Sequence, residues 1–131
     1  MALRYLLDTD TCVWALRGSR PVLSRVMALS PEDILVASMT EAELRFGVLA
    51  NERRLENENR LAVFLDPIDV LPFDSAGAAA QARIRYELRQ HPIRDRDLVI
   101  ASVAVAHGLT IVTGNVGEFS RVAGLTVESW N

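Results

Sequence analysis

Residues 94–118 constrain the fold more than any other stretch of the chain. Positions 98–106 are apolar with one exception, so they are predicted to form a helix that is buried nearly all round. His107 and Gly108 are typical of a helix end, and residues 109–113 have the pattern of a short β-branched strand. A buried helix that leads into a buried strand is half of a βαβ unit. It indicates a parallel sheet that is covered on both faces.

Short apolar runs alternate with helical patterns along the rest of the chain. Strands are predicted at residues 4–7, 34–37, 68–71, 109–113 and 125–127. Helices are also predicted at residues 11–16, 22–29, 60–65 and 75–90, with a turn at 51–58. Because right-handed crossovers join parallel neighbours, the fold class is predicted to be α/β, a three-layer α/β/α sandwich. Its mostly parallel five-stranded sheet would have the order 3-2-1-4-5, and residues 1–131 would form a single domain.

The segment after the second predicted strand carries a local signal for a helix start. Thr40 and Glu43 have the spacing of a capping box, and Leu44, Val48 and Leu49 would lie on the apolar side of the helix that follows. The topology also brings Glu43 towards the edge at which the strands end. Glu43 is therefore either a cap, a member of a site, or both.

The composition excludes several classes of protein. Half of the 131 residues are hydrophobic and 24% are charged, which is typical of a globular chain. No apolar run approaches the ~20 residues of a membrane span, the first residues lack the apolar region of a signal peptide, and Cys12 has no disulfide partner. We therefore expect a cytoplasmic protein without a membrane segment. All fourteen basic residues are arginine, so no mechanism here uses a lysine.

Acidic side chains are predicted to meet at the carboxyl end of the sheet, where ligands bind in open α/β folds. Asp8 and Asp10 follow the first strand, Asp97 lies at the start of the buried helix, and Glu118 follows the fourth strand. Glu43 is directed towards the same end. Neighbouring carboxylates repel one another, and Mg²⁺ or Mn²⁺ would resolve the conflict because these ions prefer oxygen ligands. Such an ion also acidifies water and neutralises phosphate charge.

Each of these candidates also has a purely structural interpretation. Asp8 has the position of a turn residue at a strand end, and Asp97 that of a first-turn aspartate that complements the helix dipole. Asp95 is expected to be the N-cap of the same helix. Asn115 has the position of a turn former and Glu118 that of a solvated side chain. The shared location of the acids, rather than any one position, favours a site.

Two arginines lie next to the predicted acidic site. Arg94 and Arg96 lie just before Asp97 in the chain, and they are therefore candidates to bind the phosphate groups of a substrate. Neither His91 nor His107 has a spacing that indicates a metal site or a catalytic pair. The sequence thus favours acid and arginine chemistry over histidine chemistry.

The chain resembles the PIN-domain ribonucleases of the VapC type, the toxin half of bacterial toxin–antitoxin pairs. LLDTD at residues 6–10 is similar to an apolar strand that ends in Asp-Thr-Asn, and SMTEAELRFGV at 38–48 is similar to a Glu-Leu-x-x-Gly helix. The stretch DLVIASVAVAHGLTIVTGNVGEFSRVAGLTVESW at 97–130 is similar to the family's Asp-x-x-Ile-Ala helix, Val-Thr-x-Asn turn, acid-Phe pair and closing tryptophan. The resemblance covers the whole chain.

This resemblance implies a metal-dependent endoribonuclease whose cofactor is Mg²⁺, with Mn²⁺ as a substitute. It implies that Asp8, Glu43 and Asp97 are catalytic, with Asp8 and Asp97 as direct metal ligands. The family's fourth acidic position falls near Asn115 or Glu118, so Glu118 is a further catalytic candidate and Asn115 a candidate to bind substrate. The resemblance also implies an RNA substrate, an antitoxin partner, a homodimer and a toxin–antitoxin hetero-oligomer.

The chain departs from the family pattern at several positions. Asp10 stands where the family usually has asparagine, and Gln90, His91 and Arg94 stand where it often has glycines around Pro-Ile. None of these changes removes a core carboxylate. They do change the loop before Asp97, which is expected to meet the substrate.

Other interpretations start from the same first acids. LLDTDTCV also fits Asp-x-Asp-x-Thr, the nucleophile motif of haloacid-dehalogenase-type phosphatases, in which Asp8 would be phosphorylated and Asp10 would act as acid and base. A receiver-like signalling domain would use both as an acidic pocket and Asp74 as its phosphoacceptor. The phosphatase and the receiver-like domain both normally need a lysine, and this chain has none. A degenerate domain that only binds a partner is the third alternative, and the intact acids Asp8, Glu43 and Asp97 argue against it.

Overall fold

The computed structural model describes residues 3–131, and within them five strands form one parallel sheet. The strands are β1 (Tyr5–Leu7), β2 (Ile34–Ala37), β3 (Asp69–Leu71), β4 (Thr110–Val112) and β5 (Thr126–Glu128). Their order is β3-β2-β1-β4-β5, and every neighbouring pair is parallel, which confirms the predicted order. β1 and β4 are neighbours at the topological switch point, so their carboxyl ends open onto one edge.

Helices cover both faces of the sheet. They are α1 (Thr9–Leu16), α2 (Arg20–Ala28), α3 (Ser38–Leu49), α4 (Arg54–Leu65), α5 (Ser75–Glu87), α6 (Asp95–His107) and α7 (Val116–Phe119), and a 3₁₀ turn spans Pro31–Asp33. Leu6 of β1 packs in a buried cluster with residues of α5 and α6, whereas Leu7 packs in a second cluster with residues of α1 to α4. Successive strand residues thus point into two cores, as the three-layer prediction requires.

The central helix and strand match the sequence pattern closely. All residues of α6 from 100 to 104 are buried, and the hydroxyl of Ser102 donates to the carbonyl oxygen of Leu98 at 2.6 Å, so this polar group is satisfied inside the core. Gly108 follows α6 with φ of 64°, the left-handed conformation that favours glycine at a helix end. This firm anchoring fixes the first turn of α6 against the ends of β1 and β4.

The predicted capping box is wrong. α3 begins at Ser38, directly after β2, so Thr40 and Glu43 are the third and sixth helical residues and neither caps the helix. Leu49 was predicted on the apolar side but is 57% exposed, although Leu44 is buried. The helix starts early because the strand enters it without a loop. Glu43 is therefore free of a capping role.

Other boundaries shift by one to a few residues. The predicted turn at 51–58 is wrong in its second half, because α4 already begins at Arg54. Asp95 is not the N-cap of α6: it is the first helical residue, and Arg94 occupies the cap position without a side-chain hydrogen bond. The short helix α7 was not predicted. No helix among residues 3–131 combines the length and apolar character needed to cross a membrane.

Candidate active site

A polar cleft of about 310 Å³ opens where β1 and β4 end and α6 begins. Its lining residues are Asp8, Asp10, Glu43, Arg94, Asp95, Arg96, Asp97, Asn115 and Phe119. The cleft therefore collects every site residue predicted from the sequence except Glu118, which lies beside it. Elements that are far apart in the chain supply these side chains, as the predicted topology requires.

Asp8 links the cleft to the fold. It follows β1, and its backbone N–H donates to the carbonyl oxygen of Val112 at 3.0 Å. Its carboxylate accepts from the backbone N–H of Thr11 at 2.9 Å and thereby caps α1. Asp8 is only 4% exposed. Burial raises its pKa, with a smaller upward effect from Asp10, while hydrogen bonds with Thr113 and Thr11 act in the opposite direction.

Glu43 is held at the cleft by a neighbouring element. Its Oε1 accepts a hydrogen bond from the hydroxyl of Thr9 at 2.7 Å, and its Oε2 lies 3.4 Å from Nη1 of Arg96. The Glu43 side chain is 22% exposed and the Arg96 side chain 72%, so the ion pair is screened by water. The shorter hydroxyl contact therefore does more to fix the carboxylate.

Asp97 is the third residue of α6 and is partly buried in the wall of the cleft. Burial raises its pKa to about 6, helped by the charges of Glu118, Asp8 and Glu43, while the charge of Arg94 opposes the shift. Carboxylates from three other parts of the chain thus help to raise the pKa of Asp97. Such clusters are concentrated at functional sites.

Asn115 and Glu118 form a unit at the start of α7. The amide Nδ2 of Asn115 donates to Oε2 of Glu118 at 2.5 Å, and the backbone N–H of Arg94 donates to Oε1 of Glu118 at 3.0 Å. Asn115 lines the cleft, whereas Glu118 ties α7 to the loop before α6. The two candidates for the fourth acidic position are thus joined by a hydrogen bond.

The loop after β4 is shaped by close packing. A Cβ atom at Gly114 would overlap Cη2 of Trp14, so the backbone passes directly against the indole ring. The backbone N–H of Asn115 donates to the hydroxyl of Thr113 at 2.9 Å. Trp14 therefore acts as a packing residue, and the loop presents Asn115 to the cleft.

The donor chemistry of the cleft fits a hard divalent cation. Its acidic side chains offer oxygen donors, and Mg²⁺ typically needs only one or two protein carboxylates because it keeps several waters. Within residues 3–131, no three Asp, Glu, His or Cys side chains already stand together as a complete cage. Burial is the main cause of the raised pKa values of Asp8 and Asp97, and a cation at the cleft would offset the cost of burying these two charges.

Sequence reasoning missed the hydroxyl side chains that hold the acids. Thr9 contacts Glu43, and Thr113 contacts Asp8 and Asn115. Both threonines lie inside motifs that carried the family resemblance, which was the available signal. Glu43 is 34 residues from Thr9, and Asp8 follows β1 whereas Thr113 follows β4, so local patterns did not reveal these two contacts.

Asp74 lies away from this cleft. It caps α5, and its carboxylate accepts from the backbone N–H of Gly77 at 3.1 Å. This explains the residue as a structural cap rather than as the phosphoacceptor of a receiver-like domain. Cys12 is fully buried and belongs to one of the two core clusters.

Comparison with known proteins identifies the family. The PIN domain model matches residues 5–125. Ribonuclease VapC2 of Rickettsia felis is 32% identical over 97% of this chain and 98% of its own length. The tRNA(fMet)-specific endonuclease VapC of Salmonella typhimurium is 32% identical over 98% of each chain. The VapBC2 structure from Rickettsia felis, bound to a promoter DNA fragment, matches with a TM-score of 0.92 and 31% identity over 98% of this chain and 100% of that one.

Proposed function

This chain belongs to the PIN-domain family, and from that premise we propose how its acidic cleft hydrolyses RNA. The protein is a ribonuclease of the VapC type, the toxin of a toxin–antitoxin pair. The observation that carries the mechanism is the convergence of Asp8, Glu43 and Asp97 on one polar cleft. Burial, helped by nearby carboxylate charges, raises the pKa of Asp97 there to about 6, and a cation beside this carboxylate would offset the cost of burying its charge.

We infer that Asp8 and Asp97 would hold Mg²⁺ or Mn²⁺, with Glu43 and Glu118 direct or through water. When bound, such an ion supplies positive charge that offsets phosphate charge and makes water more acidic. Asp8 is fixed by its cap contact with Thr11, and Asp97 by the first turn of α6. The two carboxylates are therefore pre-positioned by secondary structure, which reduces the cost of ordering them.

Glu43 orients or deprotonates the attacking water. The lining of the cleft includes neither His91 nor His107, so a carboxylate is the available base. Water attacks phosphorus, the proton of the water passes to Glu43, the bond from phosphorus to the 3′ oxygen breaks, and the released 3′ oxygen takes up a proton from solvent. The products are a 5′-phosphate and a 3′-hydroxyl. Since the ribose 2′-hydroxyl takes no part, RNA that lacks it at the scissile step remains cleavable.

Arg94, Arg96 and Asn115 bind the substrate. All three line the cleft, and the Arg96 side chain is mostly exposed, so it can pair with phosphate as well as with Glu43. The RNA is single-stranded or looped where it is cut, because an unpaired strand can enter a narrow cleft. Relatives from Salmonella typhimurium and Shigella flexneri are named tRNA(fMet)-specific endonucleases, which makes tRNA the first substrate to test.

A small antitoxin binds this toxin, and we propose that it covers the acidic cleft. Solved relatives include VapBC and FitAB toxin–antitoxin complexes. Large apolar side chains remain exposed on α3 and α4, with Phe46 at 69% and Leu55 at 73%, which supports a protein partner on these helices.

We also propose a homodimer and a cytoplasmic location, where both RNA and antitoxin are present. Light scattering of the toxin without antitoxin tests the dimer, and a monomer at high concentration would contradict it.

The reaction is tested by inducing the protein in cells without antitoxin and sequencing new RNA 5′ ends. Because Asp8 caps α1, alanine there would confound folding with catalysis, so the inactive variants are Asp8→Asn and Asp97→Asn. Discrete 5′-phosphate ends in the parent that vanish in both folded variants are expected. Identical RNA from all three strains, with equal protein levels, would refute the proposal.

A further inference from the structure

Glu43 sits on the wall between two cavities. It lines the acidic cleft, and together with Thr9 it also lines a second cavity of about 230 Å³ between α1, α3 and α4. A glutamate with three rotatable bonds therefore has space on either side. Something has to hold its carboxylate towards the cleft.

Among residues 3–131, the Glu43 carboxylate hydrogen-bonds to Thr9 and Arg96. The hydroxyl contact is 2.7 Å long and partly buried, whereas the contact with the flexible, mostly exposed Arg96 is 3.4 Å. Short hydrogen bonds to charged acceptors are the stronger kind. Thr9 is also β-branched, so its hydroxyl has few directions in which to point. Thr9 is thus the better-placed group to orient Glu43.

Thr9 in turn contacts a buried residue. Its hydroxyl lies 3.4 Å from that of Thr40, which is fully buried in the first turn of α3. A hydroxyl has a single proton. If the proton of Thr9 goes to the carboxylate, the strongest acceptor available, then the Thr9 oxygen accepts from Thr40. A chain of two hydroxyl groups thus runs from the core to Glu43 and joins α1 to α3.

We propose that Thr9 is a positioning residue for Glu43 and that Thr40 orients Thr9. The inference rests on the ribonuclease function proposed above. Thr9 acts only through the carboxylate of Glu43 and contacts neither substrate nor metal. Thr40 and Glu43, which the sequence paired as a capping box, are instead connected through the hydroxyl of Thr9.

The test uses Thr9→Val, which keeps the side-chain shape and removes the hydroxyl, with Thr9→Ser as the conservative rescue. Thr126→Val, exposed at the opposite end of the sheet on β5, is the matched control. On a short RNA substrate, Thr9→Val is expected to lower kcat about tenfold or more with KM within about twofold, because a misplaced group acts on the chemical step. Thr9→Ser and Thr126→Val should stay within about threefold of the parent.

A Glu43→Gln background separates positioning from general structural damage. If Thr9 acts only through Glu43, adding Thr9→Val to Glu43→Gln causes little further loss of kcat. An equal further loss, or a Thr9→Val enzyme with unchanged kcat, would overturn the proposal. The χ1 couplings of Glu43 by NMR need no RNA: one rotamer is expected in the parent and averaging in Thr9→Val. Absence of cleavage by the parent would refute the ribonuclease function, whereas unchanged couplings in Thr9→Val would refute the positioning role.

Discussion

Asp97 is predicted to destabilise the folded protein in the absence of divalent cations, and Asp97→Asn to stabilise it at pH 7.5. Its pKa is raised from an ordinary 3.8 to about 6. One pKa unit corresponds to about 1.4 kcal/mol, so the full shift sets an upper limit of about 3 kcal/mol. Water screens this partly exposed group, and we expect about 1 to 1.5 kcal/mol. For a chain of this size, this gain would raise the urea concentration at the midpoint of unfolding by roughly 0.5 to 1 M.

The sign of the effect follows from proton binding. Between pH 4 and 6 the folded state keeps the proton on Asp97 and the unfolded chain releases it, so this group lowers the free energy of unfolding as pH rises. The loss of free energy of unfolding caused by Asp97 is complete above pH 6 and absent below pH 4. The gain from Asp97→Asn should therefore be present at pH 7.5 and largely lost near pH 4.

Urea unfolding with EDTA, followed by tryptophan fluorescence, measures the effect, since Trp130 is buried and Trp14 partly so. Asp69→Asn is the control because Asp69 is exposed at the opposite end of the sheet. Added Mn²⁺ should stabilise the parent more than Asp97→Asn, because binding to the folded state adds to its stability. A loss of stability in Asp97→Asn at pH 7.5, or an equal gain at both pH values, would refute the reasoning.

Three further predictions concern the surroundings of the cleft. Asp8→Ala should be about 1 kcal/mol less stable than Asp8→Asn by urea unfolding, because only asparagine can still cap α1; equal stabilities would contradict the capping role. Gly114→Ala should cost about 1 to 3 kcal/mol, because the new Cβ would meet the ring of Trp14, and a neutral change would show that the loop yields freely. Burial raises the pKa of the Cys12 thiol and shields it, so a thiol reagent should label the native protein only as fast as it unfolds. Rapid labelling of the native protein would contradict this.

The sheet was predictable because its three central strands are buried on both faces and therefore stand out as apolar runs. Residues 34–37 were predicted to the residue, and the predicted order 3-2-1-4-5 is the observed one. The acids could also be assigned to one edge, since that edge is defined by where the strands end. These are properties of the chain that do not depend on individual side-chain contacts.

Local patterns failed where a distant contact decided the outcome. Thr40 and Glu43 match a capping box, yet the helix begins at Ser38 and Thr9, more than 30 residues earlier, takes both as neighbours. Leu49 fits an apolar face by spacing, but it is the last residue of α3 and is 57% exposed. Asp8 was expected as turn or ligand, and its actual contact as a cap depends on how the chain enters α1.

The double role of Asp8 has a consequence for how a cell can escape this toxin. A mutation that removes its side chain also removes a helix cap, so the altered chain is exposed to proteolysis and its antitoxin loses a binding partner. On the mechanism proposed above, a change to asparagine instead leaves a folded but inactive chain, which is expected to compete for antitoxin and so to leave less of it for any second, active copy. Cells that survive a toxicity selection should therefore differ in how much antitoxin the mutant toxin binds, depending on whether residue 8 has lost its side chain or has become asparagine.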